Sequence, residues 1–309
     1  MEDFATPAPQ NENEVLVSVK AVAVKNLDKL RASGAHYSTK HETWTARVVG
    51  SDGVALLADG TRVYGIGVRG MLGEKAVIEK DKMVALPAGI TDAVAAALPN
   101  AVMGSALAMR FRAGLTEGET VLINGATGVT GRMAVQLAKH YGAKKVVATG
   151  RNEQSLRELL TLGADEIVSL TQAEENFAAQ IKNGHRQDPV DVIIDFLWGR
   201  SAELLLSSLS GNGGFSHCTR FVTVGGMTGD TISLSSSILR STDIRICGSG
   251  LGTWTAAELG LLISEILPEM FRMTAEGRLK IETETVALKD IEPAWKKNIA
   301  SGKRLVVLV

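Results

Sequence analysis

Hydrophobic positions follow two different patterns along the chain, and the change falls near Pro87. Before it, the alternating β-branched run at 15–24 predicts a strand, and short apolar pieces between glycines at 48–86 predict a compact β-rich domain. After it, Ala-rich and apolar stretches at 91–98 and 103–113 have helical character, and strands and helices then alternate regularly. This βαβα order is typical of an α/β fold with a doubly wound parallel sheet.

The alternating part of the chain contains six predicted strands. They fall at 120–123, 145–148, 166–168, 190–194, 221–224 and 244–247. Helices are predicted between them at 132–141, 153–162, 176–183 and 202–208. The remaining pattern predicts a long helix at 254–274, a strand at 281–286, a helix at 291–301 and a last strand at 305–309.

A glycine-rich segment, NGATGVTG at 124–131, joins the first of these strands to the first helix. Gly125, Gly128 and Gly131 are spaced three residues apart, where the chain must turn sharply and begin a helix. The free N–H groups of a helix N-terminus suit a pyrophosphate. A tight turn without a ligand is the alternative. The position of the segment at the head of a long alternating series favours dinucleotide binding.

The next predicted strand indicates which dinucleotide is bound. NAD-binding chains usually carry a carboxylate at its end, against the ribose 2′-hydroxyl. This chain reads VVATGRN at 146–152 and has Arg151 there instead. A guanidinium pairs with a 2′-phosphate, which a carboxylate would repel. The sequence therefore predicts NADP(H), unless Arg151 is only a solvated charge at the start of a helix.

Composition and charge narrow the class of protein. The chain has 309 residues and a net charge of −1, which gives no support for binding nucleic acid. It shows no basic segment followed by an apolar run at its start, and we read no apolar stretch as long enough to cross a bilayer. Cys218 and Cys247 form no CxxC pair and are predicted to be reduced, buried thiols. We expect a cytoplasmic protein with a small-molecule substrate and no membrane or nucleic-acid partner.

Segment 119–168, from ETVLINGATGVTG to LGADEIV, resembles the cofactor half of the medium-chain dehydrogenase/reductase superfamily. Its quinone oxidoreductase (zeta-crystallin-like) branch is the most similar. Four further segments resemble other parts of that family: 15–37, 50–65, 86–102 and 301–309. The resemblance implies a Rossmann NADP-binding domain at 99–252, inserted in a GroES-like β-barrel catalytic domain at 1–98 and 253–309. It also implies an active site in the cleft between them, and a homodimer.

The chain departs from the family in ways that bear on the reaction. Zinc-dependent relatives have Gly-His-Glu where this chain reads GSDG at 50–53, and they carry a four-cysteine lobe that this chain lacks. The family's usual opening strand is missing from this chain, so a differently finished barrel edge is expected. With two cysteines and five scattered histidines, we predict a metal-free enzyme. The chemistry that remains is hydride addition to an already polarised acceptor, a quinone or an α,β-unsaturated carbonyl.

The resemblance also implies candidate site residues. The candidate catalytic residues are Lys25, where the family usually has Asn, and Tyr37. Either could donate to a developing oxyanion, although Lys25 could equally face solvent and Tyr37 could anchor a loop. Asn100 and Met103 are the candidate substrate-binding residues. The candidate cofactor-binding residues are Ala126, Thr127, Gly128, Val129, Gly150, Arg151, Asn152, Phe196, Leu197, Gly225, Gly226, Met227, Gly250 and Leu251.

Three functions fit the sequence. The first is an NADPH-dependent, zinc-independent reductase of quinones or enones. The second is an enoyl reductase that acts on a biosynthetic thioester. The third is an NADPH-binding sensor protein of low turnover, because no strong acid–base pair is visible in the sequence.

Overall fold

A computed structural model describes residues 4–34, 46–210 and 216–309. The chain forms two compact units, each with its own sheet. The first unit consists of Met1–Asn100 and Gly260–Val309, and the second of Ala101–Leu259.

The first unit is built on a seven-stranded, mostly antiparallel sheet. Its strands are β1 (Glu14–Val24), β2 (Asp52–Leu56), β3 (Arg62–Ile66), β4 (Lys75–Glu79), β5 (Val84–Ala85), β12 (Glu282–Ala287) and β13 (Lys303–Leu308). The order is β12-β13-β1-β2-β3-β5, and β4 pairs with the first half of β1. Strand β1 therefore contacts three others, and its second half is buried on both faces, as its unbroken apolar run requires.

The short α-helices in the described part of this unit are α1 (Asn26–Ala32), α9 (Leu267–Ala275) and α10 (Ile291–Lys296). Helix α1 follows β1 directly. The predicted strands at 15–24, 281–286 and 305–309 are confirmed. The predicted helix 291–301 is too long by five residues, because the backbone becomes extended at Lys297, before strand β13.

The second unit contains a six-stranded parallel sheet with the predicted doubly wound topology. Its strands are β6 (Thr120–Asn124), β7 (Lys145–Gly150), β8 (Glu166–Ser169), β9 (Val192–Asp195), β10 (Thr219–Thr223) and β11 (Ile244–Gly248). The order is β11-β10-β9-β6-β7-β8, and neighbouring strands run parallel. The order reverses at β6, so the glycine turn lies at the switch point where α/β sheets bind ligands.

Further helices precede, connect or follow these strands. They are α2 (Asp92–Leu107), α3 (Val129–His140), α4 (Glu153–Leu160), α5 (Glu174–Gln187), α6 (Gly199–Ser208), α7 (Ser236–Ser241) and α8 (Ala256–Leu261). The predicted helix 254–274 corresponds to α8 and α9, which are joined by a wider turn at Leu262–Ile266. An apolar cluster that includes Leu122, Ile193 and Phe221 forms the core between sheet and helices.

Two predicted helices, 91–98 and 103–113, are one element. Pro99 lies inside α2, and the chain continues through it to a wider turn at Ala108–Ala113. Proline removes one helical hydrogen bond, but Leu98 and Val102 are fully buried and packing holds the helix together. The combined helix, Asp92–Ala113, is long and apolar enough to cross a membrane. The sequence reading missed this run, and because 67% of its most apolar window is buried, it is a core helix.

The prediction that both cysteines are buried is wrong. Cys247 is exposed and Cys218 is half-buried. Cys247 lies on β11, which ends the sheet order, and residues on one face of this strand reach the surface.

Candidate functional site

The glycine turn leaves the carboxyl end of β6 and enters α3. Gly125 has φ +86°, a conformation that favours glycine, and the N–H of Ala126 donates to the carbonyl of Thr149 at 2.8 Å. Gly128 is the N-cap of α3 and offers no side-chain cap to the first turn. The chain thus turns tightly against β7 and presents the start of α3.

Gly128 and Gly131 serve different purposes in this turn. A Cβ on Gly131 would lie 2.4 Å from the carbonyl oxygen of Gly125 and 2.6 Å from Cα of Ala126, so close packing of helix on turn requires glycine. A Cβ on Gly128 would meet nothing within 4 Å. Its φ of −76° also makes no demand for glycine. The space over Gly128 is therefore open, which fits a ligand that approaches the backbone at the helix start.

A buried polar network joins the carboxyl ends of three strands beside this turn. Thr149 donates to Oδ1 of Asn124 at 2.7 Å, and Nδ2 of Asn124 donates to Asp195 at 2.8 Å. Burial raises the pKa of Asp195, and hydrogen bonds from Asn124 and from the backbone of Leu197 and Trp198 offset part of that effect. The network fixes β6, β7 and β9 in register where they meet the loops.

The loops after β6, β7, β9, β10 and β11 leave the same edge of the sheet, because the strands are parallel. These loops contain the sequence-predicted cofactor residues Ala126–Val129, Gly150–Asn152, Phe196–Leu197, Gly225–Met227 and Gly250–Leu251. Structure therefore brings the five segments to one edge of the second unit. Met227 is exposed there at 65% and Leu251 at 42%.

The loop after β9 is strained. Trp198 has φ +59°, which is uncommon for a bulky side chain. Its N–H donates to Asp195 at 3.1 Å, and its ring packs edge-on against Phe221 with centroids 6.1 Å apart. Thr228 donates its hydroxyl to the carbonyls of Leu197 and Trp198. Such over-determined strain is characteristic of ligand-binding loops.

Arg151 follows β7 at this edge and is exposed. Among the described residues it makes no hydrogen bond or ion pair. Asn152 beside it accepts a hydrogen bond from the N–H of Ser155 at 2.8 Å and so caps α4. The guanidinium of Arg151 is therefore available to an anion, whereas the carbonyl oxygen of the Asn152 side chain already has a donor.

Lys25 lies in the first unit, at the junction of β1 and α1, and is only 2% exposed. Its ammonium donates to a carboxylate oxygen of Asp52, to the carbonyl of Ala23 at 3.2 Å, and it contacts Asp28 at 3.2 Å. Two of its N–H donors thus have hydrogen-bond acceptors within the protein, and its charge is also paired with Asp28. The predicted donation from Lys25 to a substrate stays a prediction, and it would require exchange of one of these bonds.

Asp52 connects Lys25 to Tyr64. The hydroxyl of Tyr64 donates to the second carboxylate oxygen of Asp52 at 2.7 Å, and Ser51 donates to both Asp28 and Asp52. Burial alone would raise the pKa of Asp52, but the Lys25 ammonium and the hydrogen bonds hold it below its ordinary value. Burial and the neighbouring Asp52 carboxylate raise the pKa of Tyr64 well above its usual range. The group is a closed charge network with Tyr64 kept neutral.

Arg304 lies at the start of β13, near Lys25. Val24, which precedes Lys25, pairs with Leu305, which follows Arg304, so both cations occupy the same end of the β1–β13 ladder. Nη2 of Arg304 donates to Oδ1 of Asn100 at 3.2 Å. Asn100, a predicted substrate-binding residue, therefore orients a guanidinium.

Met103 and Tyr37 are the two remaining predicted site residues. Met103 is half-buried on α2. Tyr37 lies outside the described residues, and its predicted catalytic role stays a prediction.

Sequence reasoning missed Asp52, Tyr64 and Asn124 as members of the site networks. Asp52 carried one usable signal, a carboxylate in the GSDG segment where zinc-dependent relatives have Gly-His-Glu. Asn124 stands at the start of the glycine-rich segment 124–131, but nothing in the sequence indicates its partners. Tyr64 carried no signal, because it sits within an ordinary strand pattern.

No metal-binding cluster is found in the described part of the chain, where no three His, Cys, Asp or Glu side chains are grouped to hold an ion.

Comparison with known proteins identifies similar sequences and folds. A family model described as zinc-binding dehydrogenase matches residues 129–267. The chain is 32% identical over 203 residues to the quinone oxidoreductase of Sus scrofa, a match that covers 63% of this chain and 60% of that protein. It is 30% identical over 317 residues to erythronolide synthase EryA2 of Saccharopolyspora erythraea, covering 98% of this chain and 8% of the synthase.

The chain thus spans less than two thirds of the length of both relatives. Among solved structures, the quinone oxidoreductase of Thermus thermophilus, determined also as its complex with NADPH, has a TM-score of 0.75 at 24% identity. That match covers 99% of this chain and 95% of the other. Two further solved structures match 98% and 100% of this chain with TM-scores of 0.80 and 0.83, which supports a fold of a doubly wound parallel unit and a GroES-like unit. By sequence and by fold, this chain is similar to the quinone oxidoreductases of the medium-chain dehydrogenase/reductase superfamily.

Proposed function

We propose that this protein is an NADPH-dependent reductase that transfers hydride to a quinone or an α,β-unsaturated carbonyl. The observation that carries the proposal is the pairing of an open glycine turn with an available arginine at one sheet edge. Gly128 leaves space over the start of α3, and Arg151 has no partner among the described residues. The family supports a nicotinamide cofactor, and Arg151 supports its phosphorylated form.

The second unit would hold the cofactor through the five loop segments at the carboxyl edge of its sheet. Backbone N–H groups at the start of α3 would bind the diphosphate. Arg151 would pair with the 2′-phosphate. The nicotinamide, when bound, supplies the hydride. The first unit, predicted as the catalytic domain of 1–98 and 253–309, would bind the acceptor. Asn100 and Met103, the predicted substrate contacts, lie on α2, where the chain passes from the first unit to the second.

The cofactor assignment is tested by calorimetric titration with NADPH and NADH. Arg151→Gln should raise the Kd for NADPH about 10- to 100-fold, since a charge-assisted hydrogen bond contributes about 1.5–3 kcal/mol. The Kd for NADH should stay unchanged. Arg157→Gln is the matched control, because Arg157 is exposed on neighbouring α4 and, among the described residues, pairs with Glu153. Equal loss of both dinucleotides, or no binding of NADPH, would refute the assignment.

A second candidate, reduction of an enoyl thioester, is favoured by the alignment of 98% of the chain with a segment of erythronolide synthase. NADPH consumption with 1,4-benzoquinone, methyl vinyl ketone, crotonyl-coenzyme A and benzaldehyde separates the two. Turnover of the quinone and the ketone supports the first function, and turnover of crotonyl-coenzyme A alone supports the second. Tight NADPH binding without turnover of any of these acceptors would support the remaining function, an NADPH-binding sensor protein of low turnover.

We further propose a zinc-independent, cytoplasmic homodimer. Strand β11 ends the sheet order in the described part of the second unit, and such an edge can pair with a second copy. Sedimentation at equilibrium should give twice the mass of one chain. Activity should survive dialysis against a chelator, since Ser51-Asp52 stand where zinc-dependent relatives carry His-Glu.

A further inference from the structure

Arg304 has more hydrogen-bond donors than the protein satisfies. A guanidinium carries five N–H donors. In the described structure Arg304 makes one hydrogen bond, from Nη2 to Asn100. Its Nε is buried and has no hydrogen-bond partner. Buried donors of this kind cost free energy unless something else accepts from them.

The carboxylates near Arg304 do not form an ion pair with it. Lys25 takes both nearby carboxylates, Asp28 and Asp52, within ion-pair distance. No carboxylate of a described residue lies within that distance of Arg304. The Lys25–Asp28–Asp52 group keeps one net negative charge, which balances Arg304 from further away. Burial lowers the pKa of Arg304, and Asp52 and Asp28 counteract that effect.

This balance selects the charge of a ligand. The two cations and two carboxylates sum to zero, so the cluster as a whole does not attract a permanently charged anion, although an oxygen that contacts Arg304 still faces a guanidinium. A neutral oxygen acceptor such as a carbonyl satisfies the free donors without adding charge. Arg304 as a residue is half-buried rather than fully enclosed, although its Nε is buried.

We propose that Arg304, oriented by Asn100, binds the carbonyl oxygen of the acceptor and stabilises the negative charge that develops there. The inference rests on the proposed function. Hydride from NADPH forms a new C–H bond at the β-carbon, the C=C electron pair moves toward the carbonyl, and the oxygen becomes an enolate. NADPH is oxidised, the acceptor is reduced by two electrons, and a proton from water completes the product. Arg304 keeps its proton throughout and acts as an electrostatic donor.

Two readouts test the assignment, one kinetic and one independent of turnover. Arg304→Gln should lower kcat/KM for methyl vinyl ketone about 100-fold, the size expected for loss of an oxyanion donor, while the Kd for NADPH stays unchanged. Arg304→Lys should recover part of the rate. Asn100→Ala should cause a smaller loss, because Asn100 is a positioning residue. Lys303→Gln is the matched control, since the neighbouring Lys303 is exposed and lies 3.8 Å from Glu282.

The second readout uses 4-nitrophenol as a probe of the oxyanion site, without cofactor. Absorbance of the bound phenolate against pH should show a pKa lowered by about one unit in the wild type, because a guanidinium favours the charged form. Arg304→Gln should abolish this shift and Lys303→Gln should keep it. Thermal melting of each variant controls for folding, and Arg304→Lys preserves the test if the glutamine variant is unstable.

The outcomes separate the inference from the function on which it rests. Absence of NADPH turnover in the wild type with every acceptor refutes the proposed function. Turnover by wild type together with full kcat/KM and an unchanged phenolate pKa in Arg304→Gln overturns the role of Arg304. A raised Kd for NADPH with normal acceptor kinetics would assign Arg304 to the cofactor and also overturn the inference.

Discussion

The role of Lys25 in the folded protein depends on the residues that it contacts. The sequence singled it out as an unusual replacement for asparagine. Its main carboxylate partner, Asp52, comes from β2, 27 residues away. Spacing along the chain gives no hint of that contact. The Lys25 side chain, predicted as a free donor, therefore lies at the centre of a buried ion network. The contacts of this network should affect the stability of the protein.

Lys25→Met should lower the free energy of unfolding by about 3–5 kcal/mol, because it leaves two buried carboxylates without their cation. The double variant Lys25→Met/Asp52→Asn should lose less than the sum of the single variants. Urea unfolding at neutral pH measures both. Lys29→Met is the control, since the Lys29 ammonium lies 5.9 Å from the ring centroid of Trp295 and its loss should change stability by about 1 kcal/mol or less. Additive losses at Lys25 and Asp52 would show that the pair is not coupled.

The same pair makes stability depend on pH. The pKa of Asp52 is held below its ordinary value of 3.8 in the folded protein, so its contribution is present above that pH and is lost as pH falls through the folded pKa. In Lys25→Met, burial is no longer opposed by the ammonium, and the pKa of Asp52 should rise. The variant should then lose relative stability as pH rises. The stability gap between wild type and variant should therefore narrow between pH 7 and pH 4, and a constant gap would contradict this coupling.

At the scale of elements, the glycine turn is the part of the site that the sequence predicted best. Strand β6, the turn and α3 were each predicted from local residues, and the five loops reach one edge because parallel topology places them there. The features that could not be predicted depend on tertiary contacts. Continuous α2 through Pro99 depends on burial, and the Asn124–Thr149–Asp195 network depends on strand order. The Arg304–Asn100 contact joins residues 204 positions apart.

Gly128→Ala and Gly131→Ala should separate ligand approach from packing within this turn. Gly131→Ala forces a Cβ onto backbone atoms and should lower the free energy of unfolding by about 1–3 kcal/mol. Gly128→Ala adds its methyl to open space, so stability should change by about 0.5 kcal/mol or less. Its Kd for NADPH should nevertheless rise about tenfold, equivalent to about 1.4 kcal/mol. Urea unfolding and calorimetric titration measure the two effects, and unchanged NADPH affinity in Gly128→Ala would place the diphosphate elsewhere.

At the scale of the whole molecule, the candidate functional residues lie in two separate units of the chain. The parallel sheet and its loop edge belong to Ala101–Leu259, and the buried ion network with Arg304 belongs to Met1–Asn100 and Gly260–Val309. A ligand that contacts only the folded form of one unit stabilises that unit by mass action. Cofactor binding and the ion network should therefore be distinguishable by where in the chain they change stability.

Hydrogen exchange with and without NADPH tests this division. At a cofactor concentration about 100 times Kd, amides in β6, β7 and β9 that exchange through unfolding should slow about 100-fold, matching a stabilisation of about 2.7 kcal/mol. The loops after these strands should also slow, because the ligand covers them. Arg151→Gln at the same NADPH concentration should show a smaller effect, since its occupancy is lower. Lys25→Met without cofactor should instead speed exchange in β1 and β2. If NADPH left the loops after β6 and β7 unprotected while slowing β1 and β2, the cofactor would bind to the first unit, and both Arg151 and the glycine turn would lose their assigned roles.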